Sequence, residues 1–249
     1  MIQDGRTGYG KLNDRGAMRR LARYLTPDLC VIFDFDGPLC RLFPDGSSAP
    51  LAEDLRRIVV ARGAEELLVG DARASIDPQV VLKTVYRQRP RSPLAAELEA
   101  RLTEGETAAA AIAPPTPGAD LLVRELSQLG VRVAVATNNA PAAVTAYLRR
   151  VEIEGCFEGH IHGRTDDPTL LKPDPDSVER ALGGLGVAAY DALMIGDMPT
   201  DREAAREAKV AFVGYARDEA GAGPLWAAGA ELVLSHIELL STMIRRPLS

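Results

Sequence analysis

Short apolar runs recur along the chain, each closed by glycine or by polar side chains, and stretches of mixed character with helical spacing separate them. Leu29 to Phe35 predicts a first buried strand and Val131 to Thr137 a second. A short strand follows near His160 to Gly163, then Ala192 to Gly196, Val210 to Gly214, and a last short one at Leu232 to Leu234. Between them the pattern predicts helices over about Ala119 to Leu129, Pro141 to Arg149, Pro175 to Gly183 and Asp201 to Ala208. Thr116 is a candidate N-cap with Pro117 in the first helical position, and Thr200 with Glu203 has the spacing of a capping box. Asp174 is a candidate cap ahead of Pro175. Strands alternating with helices predict an α/β fold, a Rossmann-like open parallel sheet with helices on both faces.

One connection does not fit that alternation. A βαβ crossover needs only a dozen or so residues, yet the first two strands are almost a hundred apart. From Leu51 to Ala113 the composition turns to Ala, Leu, Glu and Arg, with apolar residues at helical spacing in Leu55, Ile58 and Val59 and again in Val80, Val81 and Val85. The expected organisation is a core domain over 1–43 and 114–249, with a small α-helical domain over 44–113 inserted after the first strand. No internal repeat interrupts it, and Ala108 to Ala113 is the one biased tract.

Composition narrows the partners. The formal net charge of -6 speaks against a nucleic-acid surface, which would need clustered Lys and Arg. The three cysteines, Cys30, Cys40 and Cys156, are too scattered for a disulfide framework, so a reducing cytoplasm is the expected location. No apolar run has membrane-spanning length, and Met1 to Asp14 lacks the apolar core of a secretory signal. Arg15 to Tyr24 reads as an ordinary solvated basic helix rather than a membrane-surface one. Oligomeric state leaves no trace in the pattern.

In open parallel sheets ligands bind beyond the carboxyl ends of the strands, so the residues just after each run carry the chemistry. Asp34 and Asp36 follow the first strand, and i, i+2 spacing would point both the same way. Two carboxylates that close need a cation, a shared proton or water. Thr137, Asn138 and Asn139 follow the second strand; Thr137 is either a plain strand-end hydroxyl or a ligand-binding one. The Asn pair either shapes a turn or, before Pro141, belongs to a helix N-terminus open to an anion. Lys172, held between apolar residues and a Pro-rich turn, is a candidate fixed cation. Asp197 follows a buried strand where no cap requires it, and Asp201 stands four residues on. A hard, oxygen-preferring cation such as Mg²⁺ would explain why Asp197 joins Asp34 at one edge. His160 and His162 alternate on a short strand and read as strand surface rather than metal ligands.

Taken in order, Asp34-x-Asp36-Gly37-x-Leu39, the strand ending in Thr137-Asn138, Lys172-Pro173 and Gly196-Asp197-x-x-x-Asp201 resemble the haloacid dehalogenase-like superfamily of hydrolases, over about Leu29 to Phe212. The helical insertion resembles the cap of its phosphoglycolate-phosphatase-like and β-phosphoglucomutase-like members. The resemblance implies that Asp34 is the nucleophile, forming an aspartyl-phosphate, and Asp36 the acid/base that protonates the leaving oxygen and activates water. It implies Mg²⁺ held by Asp34, Asp197 and the backbone carbonyl of Asp36, with Asp201 supporting it directly or through water. Thr137, Asn138 and Lys172 would bind phosphoryl oxygens. Pro38 departs from the pattern, standing where many members have Thr. An acid at Asp36 favours phosphate chemistry, because dehalogenating members lack one there.

The expected function is a Mg²⁺-dependent phosphatase acting on a small phosphorylated metabolite. A phosphomutase would share the same site residues, and a phospho-accepting regulatory domain would share the clustered Asp, Thr and Lys. The helical insertion and the Asp34/Asp36 pair speak against the regulatory domain. Specificity is expected from the insertion, where Arg56, Lys83, Arg87 and Arg91 are candidate contacts.

Overall fold

The computed structural model describes residues 28–44 and 47–240, so the helix expected over Arg15 to Tyr24 lies outside them. The strands are β1 (Cys30–Phe33), β2 (Arg132–Ala136), β3 (Ile161–His162), β4 (Ala192–Gly196), β5 (Ala211–Tyr215) and β6 (Val233–Leu234). They form a 6-stranded sheet in the order β3-β2-β1-β4-β5-β6, parallel throughout. The helices are α1 (Ala49–Ala61), α2 (Pro78–Gln88), α3 (Pro93–Ala110), α4 (Ala119–Gln128), α5 (Pro141–Arg150), α6 (Asp176–Leu185), α7 (Pro199–Glu207) and α8 (Glu219–Ala227).

Central strands covered on both faces read as unbroken apolar runs, and β1 is buried at every position. Its side chains alternate between two cores. Val31 and Phe33 join Leu122 and Leu126 of α4 and Val144, Tyr147 and Leu148 of α5 on one face. Cys30 and Ile32 join Val178 and Ala181 of α6, Ala204 and Ala205 of α7 and Leu225 of α8 on the other. Phe33 pairs with Val135 on one side and Ile195 on the other, so β1, β2 and β4 end level with one another.

The segment between β1 and β2 folds around its own apolar cluster. Leu55 and Val59 of α1, Val81 and Val85 of α2, and Leu98 and Leu102 of α3 meet there. Its two ends run side by side: the Arg41 amide donates to the Pro114 carbonyl at 3.0 Å, and the Thr116 amide to the Leu39 carbonyl at 3.0 Å. The insertion therefore leaves and rejoins the sheet at one place.

Several local expectations are corrected. β1 ends at Phe33, because the chain turns within Asp36–Cys40; just beyond it the Asp34 amide still donates to the Ile195 carbonyl, at 2.8 Å. Thr116 is no cap: α4 starts after Gly118, whose φ of 78° is left-handed, and the buried Thr116 hydroxyl donates instead to the Gly37 carbonyl at 2.5 Å. α6 begins after Pro175, and Asp174 accepts from the Asp176 amide in the turn ahead of it. α7 starts at Pro199, two residues before the expected start, so Thr200 and Glu203 make no capping box. Asp201 closes that turn, accepting from the amides of Asp197 and Met198 at 3.1 and 3.0 Å. α8 has no counterpart in the hydrophobic pattern, because Gly221, Gly223 and Pro224 read as breakers. Tertiary contact overrides them: Ala222 and Leu225 are buried against the sheet, and Asp218 caps the helix through the Gly221 amide at 2.9 Å.

Candidate active site

Level strand ends concentrate the polar residues that follow them. A cavity of about 540 Å³ opens there, lined by Asp34, Asp36, Thr137, Asn138, Lys172, Asp197 and Asp201, the residues singled out at the strand ends and in the Pro-rich turn. Helix α2 adds Gln79, Val80 and Lys83 to the lining, and Gln79 Nε2 donates to the Asn138 carbonyl at 3.3 Å. Two glycines permit the crowding. Gly37 has φ 108°, and a Cβ there would overlap the Asp197 carboxylate; a Cβ on Gly196 would overlap Asp201.

Lys172 organises the acids. Its Nζ donates to Asp34 Oδ1 at 2.7 Å, to Asp201 Oδ1 at 2.5 Å and to the Ala136 carbonyl at 3.1 Å. The Asn138 side chain holds the Lys172 backbone, Oδ1 accepting from its amide at 2.7 Å and Nδ2 donating to its carbonyl at 3.4 Å. Burial works against the ammonium, but the charges of Asp201 and Asp34 outweigh it and keep Lys172 protonated above its ordinary range. Burial pushes the Asp34 carboxyl up to about 7; Lys172 pulls it down and Asp201 adds to the push. Burial, then Asp201, Asp34 and Asp36, raise Asp197 well above the carboxylate range.

One ammonium among these carboxylates leaves an excess of negative charge, and the hydrogen bonding leaves a gap in the same place. Ligand atoms of Asp34, Asp197 and Asp201 lie within 4.8 Å of one another. Both Asp201 oxygens are engaged, one by Lys172 and one by two backbone amides. Asp197 Oδ1 is buried with no hydrogen-bond partner among the described residues. A buried carboxylate oxygen without a donor is costly, and an all-oxygen set suits a hard divalent cation such as Mg²⁺. The residues present therefore fit that ion.

The shared orientation expected of Asp34 and Asp36 holds only to the extent that both line the cavity. Asp34 faces Lys172, whereas Asp36 Oδ1 accepts from the Leu42 amide at 2.8 Å, and burial raises its pKa against that bond. The Thr137 hydroxyl donates to Asn139 Oδ1 at 3.1 Å and accepts from the Asn139 amide at 3.2 Å, a small ring that shapes the loop. The N-terminus of α5 is already occupied by an anion from the chain itself. Glu106 of α3 accepts from the Ala140 amide at 2.8 Å and from Asn139 Nδ2 at 3.2 Å, while Arg164 clasps the same carboxylate. Sequence reading missed both residues, although Glu106 interrupts the buried stripe Leu98, Leu102, Ala110 at helical spacing.

His160 and His162 stack with ring centroids 6.4 Å apart, outside the acidic group. Burial, helped by Arg180, lowers His162 to about 4. Among the candidate contacts from the insertion, Lys83 alone lines the cavity. Arg56 is engaged with Glu53 and the Ser75 carbonyl, and Arg87 and Arg91 are exposed and outside the cavity lining. No helix among the described residues is long and apolar enough to cross a membrane.

Relatives share this architecture. The chain is similar to phosphoglycolate phosphatase of Rhodospirillum rubrum, 30% identical over 213 residues, covering 76% of this chain and 81% of the relative. It is 31% identical over 222 residues to phosphoglycolate phosphatase of Caulobacter vibrioides, covering 82% of this chain and 85% of the relative. A crystal structure of a predicted phosphatase from Clostridium acetobutylicum superposes with a TM-score of 0.63 at 19% identity, covering 88% of this chain and 99% of that one, a likeness of fold. The model of the haloacid dehalogenase-like hydrolase family matches residues 29–209, from the start of the strand that precedes Asp34 to just beyond the helix that carries Asp201. The chain belongs to the haloacid dehalogenase-like hydrolase family and is an enzyme of its phosphatase branch.

Proposed function

We propose that the protein is a Mg²⁺-dependent phosphatase of a small phosphorylated acid, working through an aspartyl-phosphate on Asp34. The observation that carries this reading is the pairing, in one cavity, of a buried carboxylate bonded to a fixed ammonium with a neighbouring carboxylate oxygen that lacks a donor. Asp34 and Asp197 would hold the ion with the Asp36 carbonyl, and Asp201 would orient both Lys172 and the turn that carries Asp197. Mg²⁺, when bound, neutralises charge on the phosphoryl oxygens and lowers the repulsion between them and Asp34.

The remaining steps fall to the chain. An Asp34 oxygen forms a bond to phosphorus as the ester P–O bond breaks, and Asp36 gives its proton to the departing oxygen. Water then attacks phosphorus, Asp36 takes a proton from it, and the bond to Asp34 breaks to release phosphate. The raised pKa of Asp36 suits a group that must carry a proton between these half-reactions. Lys172 keeps Asp34 in place and offers charge to the phosphoryl group, with Thr137 and Asn138 beside it.

The named activity of the relatives supports phosphoglycolate or a similar short phosphorylated acid as substrate. The half-buried Lys83, contributed to the same cavity by α2, would offer a second anionic group a cation. Phosphate release from phosphoglycolate and from an aryl phosphate, with Mg²⁺ and with a chelator, tests the proposal. Hydrolysis that survives complete removal of divalent metal, or that persists in Asp34→Asn, would overturn it.

A further inference from the structure

The Arg164 side chain is fully buried, and the N–H groups of its guanidinium all find acceptors, in the Glu99 and Glu106 carboxylates, the Asn138 carbonyl and the Thr103 hydroxyl. Nε donates to Glu99, 2.8 Å from Oε2. Nη1 donates to Glu106 Oε1 at 2.8 Å and to the Asn138 carbonyl at 2.9 Å; Nη2 donates to Glu106 Oε2 at 3.0 Å and to Thr103 Oγ1 at 3.3 Å. Glu99, Thr103 and Glu106 all belong to α3 of the insertion, whereas Arg164 follows β3 of the sheet. Glu106 adds bonds to the Asn139 side chain and the Ala140 amide. The loop from Thr137 to Ala140 is thus held both by a carboxylate of the insertion and by the guanidinium paired with it.

Stability alone is a weak reason for such a pair. Well-packed apolar residues in place of a buried ion pair are often as stable or more so, because the desolvation of two charges is avoided. What apolar residues cannot supply is direction: the guanidinium fixes the Asn138 carbonyl while its Glu106 partner fixes the Ala140 amide. Asn138 in turn grips the backbone of Lys172, whose ammonium holds Asp34.

We infer that Arg164 and Glu106 are positioning residues through which helix α3 of the insertion sets the Thr137–Ala140 loop, and with it Asn138 and Lys172. Its kinetic readouts rest on the phosphatase reading; the structural one does not. The test compares the parent with Arg164→Lys, which keeps the charge and loses the fork, and with the double variant Glu106→Gln/Arg164→Met, which removes both fully buried charges and leaves only the part-exposed Glu99 without its partner. Melting temperature, kcat and KM, inhibition by inorganic phosphate, and hydrogen exchange of residues 137–140 are measured on each. The expected result is kcat lower by between about ten- and a hundredfold, weaker inhibition by phosphate, an unchanged Mg²⁺ requirement, and faster exchange confined to the loop. In the double variant these losses accompany a melting temperature close to the parent's. Parental kcat, phosphate inhibition and loop exchange in either variant would overturn the inference, as would losses that merely follow melting temperature across the set. If the parent releases no phosphate, the phosphatase reading fails by itself, and loop exchange still decides the role of the pair.

Discussion

Two buried clusters of charge stand around one cavity, and they differ in what is left over. In the Arg164 cluster every guanidinium N–H and both Glu106 oxygens have partners within the chain. In the Lys172 cluster the acids outnumber the cation, and Asp197 Oδ1 has no donor among the described residues. A satisfied cluster is complete and can serve only to hold things in place. An unsatisfied one is costly until something binds it, so the deficit marks where a ligand belongs. Burial is comparable in the two; the accounting of donors and acceptors separates them.

That contrast can be broken first at Asp34. Asp34→Asn should lower phosphate release at least about a thousandfold while the protein remains folded, because Lys172 keeps Asp201 as its partner. Steady-state assays alongside thermal melts check both halves. Asp36→Asn should cost less, about a hundredfold, with a larger loss for an alkyl phosphate, whose leaving oxygen needs the proton more, than for an aryl phosphate.

Lys172→Met reverses the pattern by leaving Asp34 and Asp201 buried without their counter-charge. A loss of about 3–5 kcal/mol is expected, read from urea unfolding, with Mg²⁺ restoring part of it. Lys83→Met should raise KM for phosphoglycolate by about tenfold and alter it less for an aryl phosphate without a second anion.

The smallest expected effect is on pH dependence. Asp34 binds its proton up to about 7 in the folded state against 3.8 ordinarily, so between those values the folded protein holds the extra proton. Its contribution to metal-free stability therefore falls as pH rises through that window. Chelator-treated protein should melt higher near pH 5.5 than near pH 8, Mg²⁺ should raise the melting temperature more at the upper pH, and Asp34→Asn should flatten the slope. An identical slope in parent and Asp34→Asn would remove Asp34 as its source.

The candidate site was legible where its residues adjoin apolar strands. Asp34, Thr137 and Asp197 each follow such a run, and parallel register alone brings strand ends together. Lys172 was legible as a constrained cation, but its bonds to both Asp34 and Asp201 cross 138 and 29 residues of sequence and leave no local sign. Asp201 was expected as an acid near a helix start; that it closes the α7 turn and braces Lys172 emerged only with the start of the helix at Pro199. Helix α8 was hidden by its glycines and Pro224, whose local cost is outweighed by burial of Leu225.

By itself the sequence determined the alternation of strands and helices, the helical insertion after β1, and the edge of the sheet at which polar residues gather, because periodicity and strand ends are properties of near neighbours. The tertiary structure decided which acids are satisfied and which is not, that Glu106 rather than a ligand fills the N-terminus of α5, and that Arg164 ties the insertion to the loop before it. Those outcomes depend on partners 34 and 58 residues apart in the chain, and only folding sets the distances and the desolvation that give such charges their effect.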